Sequence, residues 1–247
     1  MTMKRTLALL GAALLCTPAI VQAQPNLITN GSFENFTVPN SGNYRDYTSW
    51  IRMAPGSANL TGWTIGAFGG GTGTMGIDLH LGTGGNLPRS AQDGTRMVDL
   101  NIDGIGGQGN GQGTISQTFA TFVNAQYTLN FWLAGPSSGP NCPQGCTADP
   151  RLVVVDVTGS PAQTFSVISS PSNAVQWYQQ TFRFEATATS TTLTFSPAAN
   201  TQNAGYWGAF IDNVSVMQST AVPEPSAVIL LAGGLVGLFA AQRRRRG

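Results

Sequence analysis

Chemistry needs side chains that exchange protons, attack, or hold ions, and this 247-residue chain has few: one histidine, three cysteines, and charged residues at only 9 %. Residues 135–139, GPSSG, have the spacing of a nucleophile elbow, which places its serine on a strand-to-helix turn. The chain runs on into PNCPQGC, which cannot be that helix. A triad would also have to use His80, which sits in GIDLHLG and reads as a strand-surface residue. The two GxGxxG matches, 71–76 and 104–109, precede strand or more glycine instead of a helix, so they are loop composition and not dinucleotide sites. No catalytic residue is expected, and a glycosidase or esterase ranks last among the function classes.

Cys142 and Cys146 lie four apart in the Pro/Gly loop GPNCPQGCTADP. In an oxidising compartment such a pair closes a small disulfide. A zinc site needs about four ligands, and these two thiols with His80 cannot supply them. Aromatic residues facing solvent carry a different chemistry, because an indole stacks on the apolar face of a sugar while amides and carboxylates meet its hydroxyls. Trp132 falls on the strand face opposite Leu129 and Phe131, Tyr206 and Trp207 sit in NAGYWGAF before the last strand, and Trp50 ends the stretch YRDYTSW. Trp63 and Trp177 read as core. For any single tryptophan packing is the commoner role, and it is the group of four residues, Trp50, Trp132, Tyr206 and Trp207, that makes a ligand-binding surface worth expecting.

The elements that must position these residues are strands. In AQYTLNFWLAG, Tyr127, Leu129, Phe131 and Leu133 alternate with Thr128, Asn130 and Trp132, the period of a half-buried strand. RLVVVDV, YQQTFRFEAT, TTLTFSP and AFIDNVSVM repeat the theme between turn clusters, and the mature region carries no sustained helical stripe. Short strands at this spacing predict an all-β antiparallel sandwich of jelly-roll type over residues 24–220. The glycine-rich GAFGGGTGTMG and NIDGIGGQGNGQGT are expected as long loops between strands.

Both ends read as address segments. Residues 1–23 have a basic head (Lys4, Arg5), an apolar stretch and a small-residue cleavage signal, the parts of a secretory signal peptide removed by signal peptidase. At the other end, residues 226–241 form an apolar run that as a helix spans about 24 Å, and Arg243–Arg246 follow it. By the positive-inside preference the arginines stay cytoplasmic while the body is exported. Between Gln24 and Ala221 there are 6 basic and 10 acidic residues, a net charge of −4. Such a surface is a poor partner for nucleic acid, which needs clustered Lys and Arg.

VPEP, the apolar run and the arginines in that order resemble the PEP-CTERM sorting signal of Gram-negative bacteria, over residues 222–246. The resemblance implies that an exosortase, a membrane cysteine transpeptidase, recognises Pro223, Glu224 and Pro225 and removes the tail. The protein would be anchored in the inner membrane before that step and would reach the envelope surface or an extracellular biofilm matrix after it. NLITNGSFEN, TGWTI, DGTRMVDLN, GTISQTFATFVNAQYTLNFWLAG, WYQQTFRFEATATSTTLTF and GAFIDNVSV, in that order, resemble the choice-of-anchor C family of exported proteins. That family is similar to galactose-binding-like jelly rolls, which implies a carbohydrate-binding fold and often a structural calcium held by carboxylates of the first and last strands, here Glu34 and Asp212. Calcium takes six to eight oxygens, so backbone carbonyls would complete the shell. The alternative is that these two carboxylates are hydrogen-bonded strand termini. Two functions follow for a non-enzymatic surface protein: binding of a polysaccharide, or a structural and adhesive role with no sugar site.

Overall fold

The computed structural model describes residues 24–38, 46–47, 50–69, 75–81, 90–102, 111–136, 150–168, 175–198, 208–219 and 242. Both address segments lie outside these residues, apart from Gln242, which is helical. The described strands are β1 (Asp46–Tyr47), β2 (Trp50–Met53), β3 (Thr64–Phe68), β4 (Ile77–Leu81), β5 (Arg96–Asp99), β6 (Asn101–Ile102), β7 (Gly111–Ala120), β8 (Gln126–Ala134), β9 (Pro150–Val157), β10 (Gln163–Ile168), β11 (Trp177–Glu185), β12 (Ser190–Pro197) and β13 (Phe210–Gln218). They form two sheets, one of seven strands in the order β1-β2-β4-β5-β13-β8-β11, the other in the order β10-β9-β12-β7-β3 with β6 also pairing β7. Every described pairing is antiparallel. Because the chain passes repeatedly from one sheet to the other, the result is the expected all-β jelly-roll sandwich.

The alternation in β8 does what its sequence requires. Tyr127, Leu129, Phe131 and Leu133 are buried between the sheets, whereas Thr128, Asn130 and Trp132 stand on the outer face. Phe131 meets Phe165 and Phe195 of the opposite sheet edge-on, with ring centroids 5.2 and 5.1 Å apart. Trp63 is core, as read: its ring lies 5.4 Å from that of Phe33, and its indole N–H donates to the Asn30 carbonyl at 2.9 Å.

Three segments differ from the alternation rule. In AFIDNVSVM, Ile211, Val214 and Val216 all face the core, a spacing that period 2 cannot give. A bulge between Asp212 and Ser215 absorbs the extra residue, and Asn213 takes φ 48° there. The two glycine segments are partly strand: Gly66–Phe68 belong to β3, Asn101 and Ile102 form β6, and residues 111–114 open β7. Glycine is needed there because backbones nearly touch; a Cβ on Gly113 would sit 2.4 Å from the Gly76 carbonyl oxygen. β2, which begins at Trp50, keeps the alternation: it pairs β4 and sends Ile51 and Met53 into the core.

Candidate functional site

The outer face of the seven-stranded sheet collects most of the described polar side chains that chemistry could use. Cross-strand register sets them in two rows. Arg52, Asp78, Asp99, Phe210, Ala134 and Trp177 form one; the other is in two stretches, Trp50, His80 and Met97 on β2-β4-β5 and Asp212, Trp132 and Gln179 on β13-β8-β11. The two halves of the face behave differently.

On the β2-β4-β5 half the charges are buried. The Arg52 guanidinium forks onto Asp78, Nε to Oδ1 at 2.9 Å and Nη2 to Oδ2 at 3.0 Å, a geometry that neutralises both inside the fold. Burial pushes the Asp78 carboxyl up to about 6 against the pull of Arg52. His80 lies on its strand as read but is buried: its ring is 6.3 Å from Trp50 and 5.5 Å from Phe210, and Nε2 stands 3.6 Å from Asp99 Oδ2, too long for a hydrogen bond. Asp99 accepts from the backbone N–H of Gly208 at 3.0 Å and of Asn101 at 2.9 Å. Trp50 is half-buried here.

On the β13-β8-β11 half the face is open. Trp132 is half-buried between Asp212 on one side and exposed Gln179 on the other. The next rung carries Ser215, Asn130 and Thr181, with the Thr181 hydroxyl donating to Asn130 Oδ1 at 2.8 Å, and the one after it Met217, Thr128 and Arg183. An indole with amides, hydroxyls and a guanidinium beside it can stack a sugar ring and meet its hydroxyls. Sequence reasoning missed Gln179 and Asn130, although the same alternation that exposed Trp132 places them. It also put Trp177 in the core, whereas its ring packs on the outer-face cluster of Met97, Ala134, Val175 and Phe210 and its N–H donates to the Ser90 carbonyl at 2.8 Å. Tyr206, Trp207, Cys142, Cys146 and the sorting residues Pro223, Glu224 and Pro225 lie outside the described residues.

Glu34 and Asp212 meet the same loop, residues 92–96, with their carboxylates turned to amide protons. Asp212 Oδ2 accepts from Gln92 and Asp93 N–H at 2.7 and 3.0 Å, and Oδ1 from Asn213 N–H at 2.7 Å. Glu34 Oε1 accepts from Thr95 and Arg96 N–H, both at 2.6 Å, and Oε2 from the Thr95 hydroxyl at 2.9 Å. N–H dipoles aimed at three of the oxygens and a hydroxyl donating to the fourth turn protons to the place a cation would take, and among the described residues no three His, Cys, Asp or Glu gather as metal ligands. As placed, the pair does not fit calcium. Asp212 is fully buried, and that burial outweighs its three hydrogen bonds, pushing its pKa up to about 7.

Comparison with known proteins adds a family and a tail. The DUF642 family, described as protein of unknown function, matches residues 26–217, and the PEP-CTERM protein-sorting motif matches residues 221–246. Halomucin of Haloquadratum walsbyi is 28 % identical over 199 residues, 80 % of this chain. The chain spans 2 % of that protein's length. Among solved structures, TmCBM61 in complex with β-1,4-galactotriose aligns at 14 % identity and TM-score 0.44, covering 79 % of this chain and 99 % of the other. A cyclase from Fischerella in complex with 4-(1H-indol-3-yl)butan-2-one aligns at 16 % and 0.49, covering 78 % and 96 %.

Proposed function

This chain belongs to the DUF642 family, and we propose that it is an exported, non-enzymatic surface or matrix protein that binds carbohydrate on the open half of its seven-stranded sheet. Export and exosortase processing follow from the PEP-CTERM tail, which anchors the protein in the membrane until it is cut. The observation that carries the binding proposal is Trp132, held half-exposed between Asp212 and Gln179 with Asn130, Thr181 and Ser215 on the next rung. β8 fixes the indole rigidly, since the strand is paired on both sides, by β13 and β11. A ligand therefore meets a surface that needs no ordering. The finer placement among choice-of-anchor C proteins, on the NGSFEN and IDNV elements, is part of the same proposal.

A structural or adhesive role without a sugar site is the second reading, and the buried β2-β4-β5 half favours it. There Trp50 and His80 pack on one another and Arg52 is spent on Asp78. A glycan array probed with the full exported chain separates the two. Retained glycans that are lost on Trp132→Ala, with binding weakened about tenfold or more (about 1.4 kcal/mol per decade), support the first. No glycan retained at all leaves the second, and retention unchanged by Trp132→Ala rejects the Trp132 face as the binding surface.

A further inference from the structure

We propose that the end of the sandwich bearing Phe122 and Val123 rests on the lipid bilayer that holds the uncleaved tail, with this pair inserted at the bilayer interface. Phe122 is 71 % exposed and Val123 49 %, side by side in the turn between β7 and β8. A single exposed apolar residue is ordinary, but an adjacent pair on a rigid turn asks for a partner. This turn is rigid. Asn124 takes φ 64° and its N–H donates to the Ala186 carbonyl at 2.8 Å, Ala125 N–H donates to Phe122 O at 3.0 Å, and Phe122 N–H donates to the Tyr127 hydroxyl at 2.9 Å. Thr121 N–H reaches Thr189 O at 3.0 Å, so the turn is also tied to the β11–β12 turn.

The surroundings suit a membrane surface. Two other turns lie at this end: residues 186–189, hydrogen-bonded to the tip, and residues 158–160, which reach Thr192 and bring Gly159 against Thr187. With residues 121–125 they contain no charged side chain, and the charge that borders them, exposed Glu185, is held by the Gln126 side-chain amide at 2.7 Å. Apolar and hydroxyl groups can enter the headgroup region without desolvating a charge.

Where the chain leaves the fold decides the occupant. Ser219 N–H donates to the Gln126 carbonyl at 2.7 Å, ending the β13 ladder beside the first residue of β8. Gln126 is four residues from Phe122, so the exit lies within about 14 Å of the tip along an extended chain. From Ser219 to Ala227, in the apolar run of the sorting tail, is eight residues, a reach of at most about 29 Å. An uncleaved tail seated in the bilayer thus tethers this end of the sandwich within about 29 Å of the membrane. The other end of the body is also here: Leu27 N–H donates to Val216 O at 2.8 Å, which places the chain entry, after the segment read as a signal peptide, beside β13.

The inference rests on the tail being membrane-seated, and the test keeps the two apart. The full chain, tail attached, is reconstituted in phosphatidylcholine vesicles with a benzophenone-bearing amino acid at position 122, at position 168 or at position 235. Ile168 is an internal control, 63 % exposed but paired with Pro150 at the far end of the sandwich. Position 235 lies in the apolar tail. Lipid adducts at 122 and 235, several-fold above those at 168, are expected. Adducts at 235 with none above background at 122, or chain-to-chain adducts at 122, overturn the docking of the tip while leaving the tail reading intact. Absence of adducts at both 122 and 235 overturns the tail reading and the proposal with it. Phe122→Ser, expected to keep the melting temperature of the parent, should expose a neighbouring probe at position 123 to water-soluble quencher.

Discussion

Asp212 carries a carboxyl pushed well above its usual range by burial, and it fixes the sign of a pH effect. Its carboxyl is held neutral up to about 7 in the fold, against 3.8 as the ordinary value, because burial penalises the charge. The native state therefore binds more protons than the unfolded chain between these two values, so this group's contribution falls as pH rises from about 4 to about 7 and is level above that. Asp78, raised to about 6 by burial, adds in the same direction. Thermal melts at low salt should show stability declining from pH 5 to pH 8, and Asp212→Asn should flatten part of that slope. The same substitution turns an amide donor toward either Asn213 N–H or the N–H groups of Gln92 and Asp93 and should cost about 1–3 kcal/mol; a slope unchanged in Asp212→Asn would rule out this assignment. Glu34 supplies a second test at this scale. With its oxygens accepting from Thr95 and Arg96, the clasp on the 92–96 loop works without a cation. The melting temperature should not move by more than about 1 °C on adding chelator or millimolar calcium, whereas calcium binding the native state alone at 100-fold above its Kd would stabilise by about 2.7 kcal/mol.

Among the elements, legibility followed the strength of the local pattern. β8, β12 and the second half of β11 alternate inward apolar with outward residues, and each was readable because one face must be buried and the other not; β9 was readable from its apolar run VVV instead. The bulge in β13 was hidden, since an apolar spacing of 211, 214 and 216 fits no single period and only the paired strand β8 shows which residue is extra. Glycines misled in the opposite direction. Their usual meaning is a loop, yet Gly66 and Gly113 sit opposite one another's neighbours in β3 and β7, where a Cβ would meet the Thr114 side chain at Gly66 and the Gly76 backbone at Gly113. Gly113→Ala meets the Gly76 carbonyl at 2.4 Å, and backbone cannot swing aside as a side chain can. It should cost roughly 2–3 kcal/mol by overpacking, measured as a lowered denaturant midpoint. Thr118→Ala, on the exposed outer face of the same strand and losing only its contact with Thr192, is the control and should change stability by about 1 kcal/mol or less. The open half of the candidate site was legible through the β8 face that carries Trp132 and Asn130; Gln179 became visible once register placed it beside Trp132.

At the scale of the whole molecule, the tail and the sandwich are separable in energy though joined in space. The last described ladder bond is Ser219 N–H to Gln126 O, at 2.7 Å, and the sorting residues begin four positions later at Pro223. Cutting the chain near Pro223 therefore removes no strand pairing and no core residue among the described residues. Two outcomes follow. Intact-mass measurement of the mature protein from a host with an exosortase should end near Pro223, and a mass that retains Arg246 would contradict processing. The cut protein should also melt within about 2 °C of the uncut chain. Shortening further crosses a sharp boundary. A chain ending at Ser215 loses Val216, which is fully buried, together with the bond from Leu27 N–H to Val216 O and the register of Met217 and Gln218 on β8. Loss of a buried aliphatic side chain alone costs about 2–5 kcal/mol, a large part of the stability of an ordinary domain. Truncation at Ser219 should thus leave a cooperative melt and truncation at Ser215 should abolish it, because the final strand sits inside the sheet, between β5 and β8, and not at its edge.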